Sequence, residues 1–340
     1  MKIRGGVGVL VLLIGIAVAG VRPQMQAPGI PFWAYGYITP HANPLDYTNR
    51  CSGNSALECD RGTLPQDPTN TPRKVPGSDR TFTLAQINAR YAPADWFPGD
   101  HPPMPPIVAN GKEANHVRAC AMCHLPNGQG LMQNAPVAGL PVDYFVRQLD
   151  DMATGKRRSA DVNKANAYEM AAIARNMTPE ERRTAAEYFG KIPFKQWVRV
   201  VETDTIPKYT TSINGLFLKA DGNETEPLGR RIIEMAEDRE QTNILRNPRS
   251  GFVAYAPVGS IAKGEELAKT CVACHGADMR GTQLGPPIAG RQASYLARQM
   301  FDFQKGTRNG QMASLMKPAV EKLTEDDIIA LVAYTSSRKP

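Results

Sequence analysis

Apolar and polar positions change their period several times along this chain. Near the end, Ile328, Leu331 and Val332 recur at helical spacing. Thr324 and three acidic residues precede them, with Asp327 placed as in a capping box. Residues 178–190 repeat that signature, with Thr178 as cap and Pro179 at the first helical position. Tyr188 and Tyr334 share a register and are candidate core residues, expected to pack against a short helix leading into each of two Cys-x-x-Cys-His motifs. In the middle the period shortens: residues 198–202, 215–218, 231–234 and 251–255 are short apolar runs that predict strands. Residues 22–105 show no period and are punctuated by Pro and Gly, as at 102–106. They predict an extended arm carrying the aromatics Trp33, Tyr35, Tyr37 and Trp96, placed for packing on the rest or for docking a partner. At the start, Lys2 and Arg4 precede a charge-free stretch from Gly5 to Val21, with Ala17-Val18-Ala19 as a small-residue cleavage pattern. Seventeen residues are also the lower limit for a spanning helix, so the readings are a cleaved export signal or a retained anchor. Both put the residues after about 22 outside the cytoplasm.

With 340 residues the chain has room for two or three domains. The formal charge of +7 falls to +5 without Lys2 and Arg4. No Lys/Arg-rich run interleaves with aromatics, so a nucleic-acid partner is not expected. Patchy docking to acidic protein surfaces is the expected use of the charge.

Cysteines stand at 51, 59, 120, 123, 271 and 274. Four of them make Cys-x-x-Cys-His twice, as CAMCH at 120–124 and CVACH at 271–275. That is the attachment signature of c-type haem. One turn of chain puts two thiols where they add to two porphyrin vinyl groups, and the next residue, His124 or His275, is the proximal ligand. A zinc site needs both pairs to meet across a long gap, and a redox dithiol gives no reason for a histidine next door, twice. Cys51 and Cys59 read as a disulfide in an oxidising compartment, or else as two unpaired thiols.

The repeat extends past the motif. At an offset of 151, Pro136-Val137-Ala138-Gly139 falls on Pro287-Ile288-Ala289-Gly290, Tyr144 on Tyr295, Gln148 on Gln299, Gly155 on Gly306 and Arg157 on Arg308. Five extra residues in the first copy then reduce the offset to 146, and Met170 falls on Met316, Thr178 on Thr324 and Tyr188 on Tyr334. No histidine follows His275, so methionine is the natural sixth ligand of a second iron. Met170 and Met316 are selected because both stand seven residues before the residue preceding a helix cap. Their rivals are Met132, Met152 and Met177 in the first copy and Met279, Met300 and above all Met312 in the second; His101 and His116 compete for the first iron.

These two copies resemble class I cytochromes c, and the pair resembles the tandem dihaem cytochromes c of bacterial periplasms. The likeness covers roughly 106–190 and 259–340. It implies a mainly α fold with two haem domains, two covalently bound haem c groups, and electron transfer rather than catalysis. In that family a proline carbonyl orients the proximal histidine, and Pro136 and Pro287 match the position. Arg157 and Arg308 then meet haem propionates or lie on the solvated surface. The expected organisation is a signal or anchor at 1–20, an arm at 21–105, haem domain 1 at 106–190, a β-containing connector at 191–258 and haem domain 2 at 259–340. The connector departs from simpler tandem cytochromes, and either clamps the haem domains together or holds them apart. The implied partners are periplasmic redox proteins on the dehydrogenase or oxidase side, with the membrane involved only if the N-terminal segment is retained. Two other readings are the cytochrome subunit of a periplasmic dehydrogenase, and a haem enzyme such as a dihaem peroxidase, which needs an iron with an open sixth position.

Overall fold

A computed structural model describes residues 29–36, 70–162, 164–212 and 215–340. The charge-free leader and the Cys51/Cys59 pair lie outside the described residues. Of the arm, one turn of helix, α1 (Phe32–Tyr35), is buried through Trp33, Ala34 and Tyr35. Tyr35 Oη donates to the Asp302 carboxylate at 2.9 Å, and Trp33 Nε1 to Glu325 at 2.8 Å. The Ala34 carbonyl accepts from Arg298 at 2.8 Å and the Tyr35 carbonyl from Lys164 at 3.0 Å. A second piece opens on a capping box, Thr83 with Gln86, that starts α2 (Leu84–Ile87). Ile87, Trp96 and Phe97 share a small core with Leu245. Trp96 Nε1 donates to the Leu245 carbonyl at 2.7 Å, and Arg249 forks onto both oxygens of Asp100.

The first copy runs through α3 (Pro106–Ala109), α4 (Cys120–His124), α5 (Val142–Ala153), α6 (Ala165–Asn176) and α7 (Pro179–Gly190). Its core is formed by Phe145 and Leu149 of α5, Ile173 of α6, and Ala185, Ala186 and Phe189 of α7. The rings of Phe145 and Phe189 stack with centroids 6.1 Å apart. Thr178 and Glu181 close a full capping box on α7.

Seven strands follow among the described residues: β1 (Val198–Glu202), β2 (Thr205–Pro207), β3 (Tyr209–Thr211), β4 (Phe217–Lys219), β5 (Thr225–Pro227), β6 (Ile233–Ala236) and β7 (Phe252–Ala256). A five-stranded mixed sheet has the order β1-β7-β6-β4-β3, and β2 pairs with β5 apart from it. Every residue of β6 is buried, and β7 is buried at all but one, the pattern of strands covered on both faces.

The second copy is α8 (Ser260–Ala268), α9 (Val272–His275), α10 (Ala293–Gln304), α11 (Ala313–Val320) and α12 (Glu325–Ser337). Helix α12 packs on β1 and β7, and α10 on β6. Leu125, Leu131 and Met132 of the first copy, α1, the sheet and the second copy all enter one hydrophobic core. The connector therefore clamps the two copies. The copies differ at their start. Helix α8 crosses α12 with Gly264 against the Ala330 carbonyl, where a Cβ would overlap backbone. In the first copy the counterpart of α8 is a tight loop, with a bridge between Lys112 and Val117 around a 3₁₀ turn at Glu113–Asn115.

Two outcomes follow. Gly264→Ala is expected to destabilise the protein by about 1–3 kcal/mol, since neither backbone can give way; denaturant unfolding measures it, and a neutral effect would place the helices further apart. Glu234 is buried on β6, with one oxygen accepting from Ser294 N and Oγ at 3.0 and 2.7 Å and the other without a partner. Burial raises its pKa above the ordinary 4.5. A raised folded-state value contributes stability that is complete below the unfolded value and lost as pH rises through the folded one. The stability of the native chain relative to Glu234→Gln should therefore fall as pH rises above the ordinary 4.5, and a difference independent of pH would contradict it.

Candidate functional site

Helix α4 presents Cys120, Cys123 and His124 on one short turn, and both thiols are unpaired. Burial pushes the Cys120 thiol up to about 12, with Cys123 adding to it, and the Cys123 thiol up to about 11, with Glu169 adding to it. Both are therefore kept as neutral thiols. The His124 ring is fixed by one bond, Nδ1 to the Ala135 carbonyl at 2.8 Å. A carbonyl only accepts, so Nδ1 carries the proton and Nε2 keeps its lone pair. Burial lowers the pKa of the ring, which favours the neutral form. A pocket opens over these three side chains, walled by Leu140, Phe145, Leu149 and Ile173. Met152 and Met170 line it, as do Arg157 and Arg158. His101 and His116 do not; His101 is bonded to Asp95 and to the Pro102 carbonyl.

The second copy repeats the arrangement. Cys271 and Cys274 are unpaired, and His275 Nδ1 donates to the Pro286 carbonyl at 2.8 Å. Burial again lowers the pKa of the ring. Both loops close in the same way, with Gly130 N on the His124 carbonyl and Gly281 N on the His275 carbonyl, each at 2.8 Å. Left-handed residues fall in register, Leu125 with Gly276 and Gly128 with Met279. In each of these pairs one copy has a side chain where the other has glycine, so the surroundings impose the turn. The carbonyl of the second cysteine is satisfied in both copies, by Asn134 Nδ2 at 3.0 Å in one and by Thr282 Oγ1 at 2.6 Å in the other.

The structure moves the histidine-orienting carbonyls by one residue. Pro136 and Pro287 do not supply them; Ala135 and Pro286 do. A residue before proline is confined to extended backbone, which holds both acceptors in one conformation. The carbonyls of Pro136 and Pro287 are instead taken by Arg291, at 2.9 and 2.7 Å. Met170 stands on α6 beside the pocket core, and Met316 on α11, partly buried against the large core. Met312 is 39% exposed at the start of α11, while Met177, Met279 and Met300 are buried. Met132 is occupied elsewhere, its sulfur accepting from Phe217 N.

Arg157 and Arg308 are not plain surface residues. Their backbones form an antiparallel bridge between the copies, and Arg308 is only 8% exposed. Arg308 reaches Tyr144 Oη at 2.8 Å, Gln148 Oε1 at 2.7 Å and Gln299 Oε1 at 3.0 Å. Arg157 mirrors it, reaching Tyr295 Oη at 3.2 Å, Gln299 Oε1 at 2.9 Å and Gln148 Oε1 at 3.1 Å. The repeat had paired these residues by offset; it gave no sign that the pairs bind each other.

The residues fit a covalent haem. Two unpaired thiols, an imidazole with Nε2 free, an apolar wall, a methionine and guanidiniums beside it are the donor set such a group requires. The family model for cytochrome c matches residues 261–339. Cytochrome c-554(548) of Halomonas halodenitrificans is 39% identical over 82 residues, which are 24% of this chain and 99% of that protein. Cytochrome c4 of Stutzerimonas stutzeri is 30% identical over 129 residues, 32% of this chain and 61% of that one. A thiosulfate dehydrogenase electron acceptor of Stutzerimonas stutzeri is 23% identical over 231 residues, 67% of this chain and 82% of the relative.

A double-mutant cycle tests the junction. Gln148→Ala and Arg308→Ala, alone and combined, should show a coupling of about 1 kcal/mol or more in denaturant unfolding, as expected for contacting partners in one hydrogen-bond network. Additive effects would mean that the two copies are not bonded through this pair.

Proposed function

The chain belongs to the cytochrome c family, and on that premise we propose that Cys120, Cys123 and His124 hold one haem c and Cys271, Cys274 and His275 the other, with Met170 and Met316 as the sixth ligands. Haem c is bound covalently, and the protein is an electron-transfer protein, not itself an enzyme. When bound, haem supplies a one-electron change at its iron, at a potential raised by His/Met ligation. One observation carries the assignment: in each copy a histidine beside two unpaired thiols is held through Nδ1 by a carbonyl eleven residues on. The thiols attach the group, the carbonyl fixes the ring, and the wall of Leu140, Phe145, Leu149 and Ile173 keeps water from the first site. Arg157 offers a cation to a carboxylate of the first haem.

The organisation we propose is a haem domain at 106–190, a β-containing connector at 191–258, a haem domain at 259–340 and an arm at 21–105 behind an export signal or anchor at 1–20. Electrons pass between redox proteins outside the cytoplasm, in a periplasm. The likeness to a thiosulfate dehydrogenase electron acceptor favours a second reading, that of a cytochrome subunit serving a periplasmic dehydrogenase.

Optical spectroscopy of the haem-loaded protein tests the ligands. Two haems per chain are expected, with a methionine–Fe(III) near-infrared band that falls by about half in Met170→Ala and again in Met316→Ala. Each variant should lower one potential and admit CO at one reduced haem. An unchanged band in Met316→Ala would move the assignment to Met312.

A further inference from the structure

Arg291 is a charged side chain with 2% exposure. Its Nε donates to the Pro287 carbonyl at 2.7 Å, Nη1 to the Pro136 carbonyl at 2.9 Å and Nη2 to the Ala138 carbonyl at 3.0 Å. The guanidinium lies 4.4 Å over the Phe194 ring, and the Arg291 carbonyl accepts from Ser336 at 2.7 Å. Among the described residues its side-chain hydrogen bonds go to carbonyls, not to carboxylates. Burial pulls its pKa down to about 10, which leaves it charged at neutral pH.

Two of the three acceptors have a special place. Pro136 directly follows Ala135, whose carbonyl holds His124, and Pro287 directly follows Pro286, whose carbonyl holds His275. One planar fork therefore grips the backbone one residue beyond each histidine's acceptor, once in each copy. The repeat supplies no second arginine, since the matching position in the first copy is Leu140. A buried cation near both loops favours an added electron at either site, because Coulomb energies are large where water is excluded.

We propose that Arg291 is a positioning residue shared by the two haem sites, bracing both histidine-holding loops and placing one positive charge where it raises both potentials. The proposal rests on the haem assignment above. A guanidinium is required because a fork of fixed geometry meets several carbonyls at once, which an ammonium cannot.

The test uses the full haem-loaded chain with Arg291→Leu, the residue at position 140, and Arg291→Lys. A spectroelectrochemical titration reads the two potentials, and NMR of the reduced protein reads the exchange of the two histidine Nδ1 protons. Arg291→Leu should lower both potentials and speed exchange at both histidines by about tenfold, roughly the equivalent of one lost hydrogen bond. Arg291→Lys keeps the charge and loses the fork, so both potentials should stay closer to the native values while both protons still exchange faster. Changes confined to His275, or absent at both, would overturn the proposal. Should Arg291→Leu fail to fold, the exchange rates in Arg291→Lys decide alone by the same criterion. The unmodified protein is the control: if it lacks two histidine-ligated haems, the haem assignment fails and not the brace.

Discussion

One hydrogen bond in each copy sets the terms for everything around it: histidine Nδ1 to a backbone carbonyl eleven residues later. An imidazole that coordinates through Nε2 is free to rotate unless Nδ1 is held, and a held Nδ1 also fixes the tautomer. The loop that carries the acceptor must then return to the ring. It does so through left-handed residues and through an amide closed onto the histidine carbonyl, in the same way in both copies. The helices that follow bury the apolar side of that loop, so their packing serves the orientation of one ring.

The two copies are joined by directional polar contacts as well as by a shared apolar core. The mirrored grips of Arg157 and Arg308 combine charge with neutral acceptors, and Arg291 does the same with carbonyls. Such contacts are directional, and they set the relative rotation of two units more narrowly than side-chain packing alone. The sheet adds an apolar clamp on the second copy, reaching the first through Leu125, Leu131 and Met132.

Much of the site was legible in the chain. The duplicated Cys-x-x-Cys-His and its offset located both histidines, and the capping residues Thr178 and Thr324 located both terminal helices. Runs of Val, Ile and Phe marked β1, β4, β6 and β7. Strands β2, β3 and β5 escaped notice, because each is three residues long and carries Thr, Pro or Glu in place of an apolar alternation. The missing leading helix of the first copy was hidden for another reason: similarity after the cysteines says nothing of the segment before them. The one-residue error at Pro136 and Pro287 came from matching proline by type. What the backbone uses is the carbonyl before it, whose direction proline constrains but does not supply. Arg291 was beyond reach because a repeat reveals what two copies share, and this side chain occurs in one.

Helix α1 has a consequence for how the molecule is assembled. Trp33 and Glu325 are 292 positions apart, and Tyr35 meets Asp302 across 267. A chain made from its N-terminus releases Phe32–Tyr35 early, long before any of these acceptors exist. Closing so long a loop is unfavourable until its far end is already ordered. The four residues are therefore expected to seat late, as a latch over halves already folded. A chain cut short before residue 298 would lack the Arg298, Asp302 and Glu325 groups that hold α1, and Trp33 and Tyr35 would lose those hydrogen bonds.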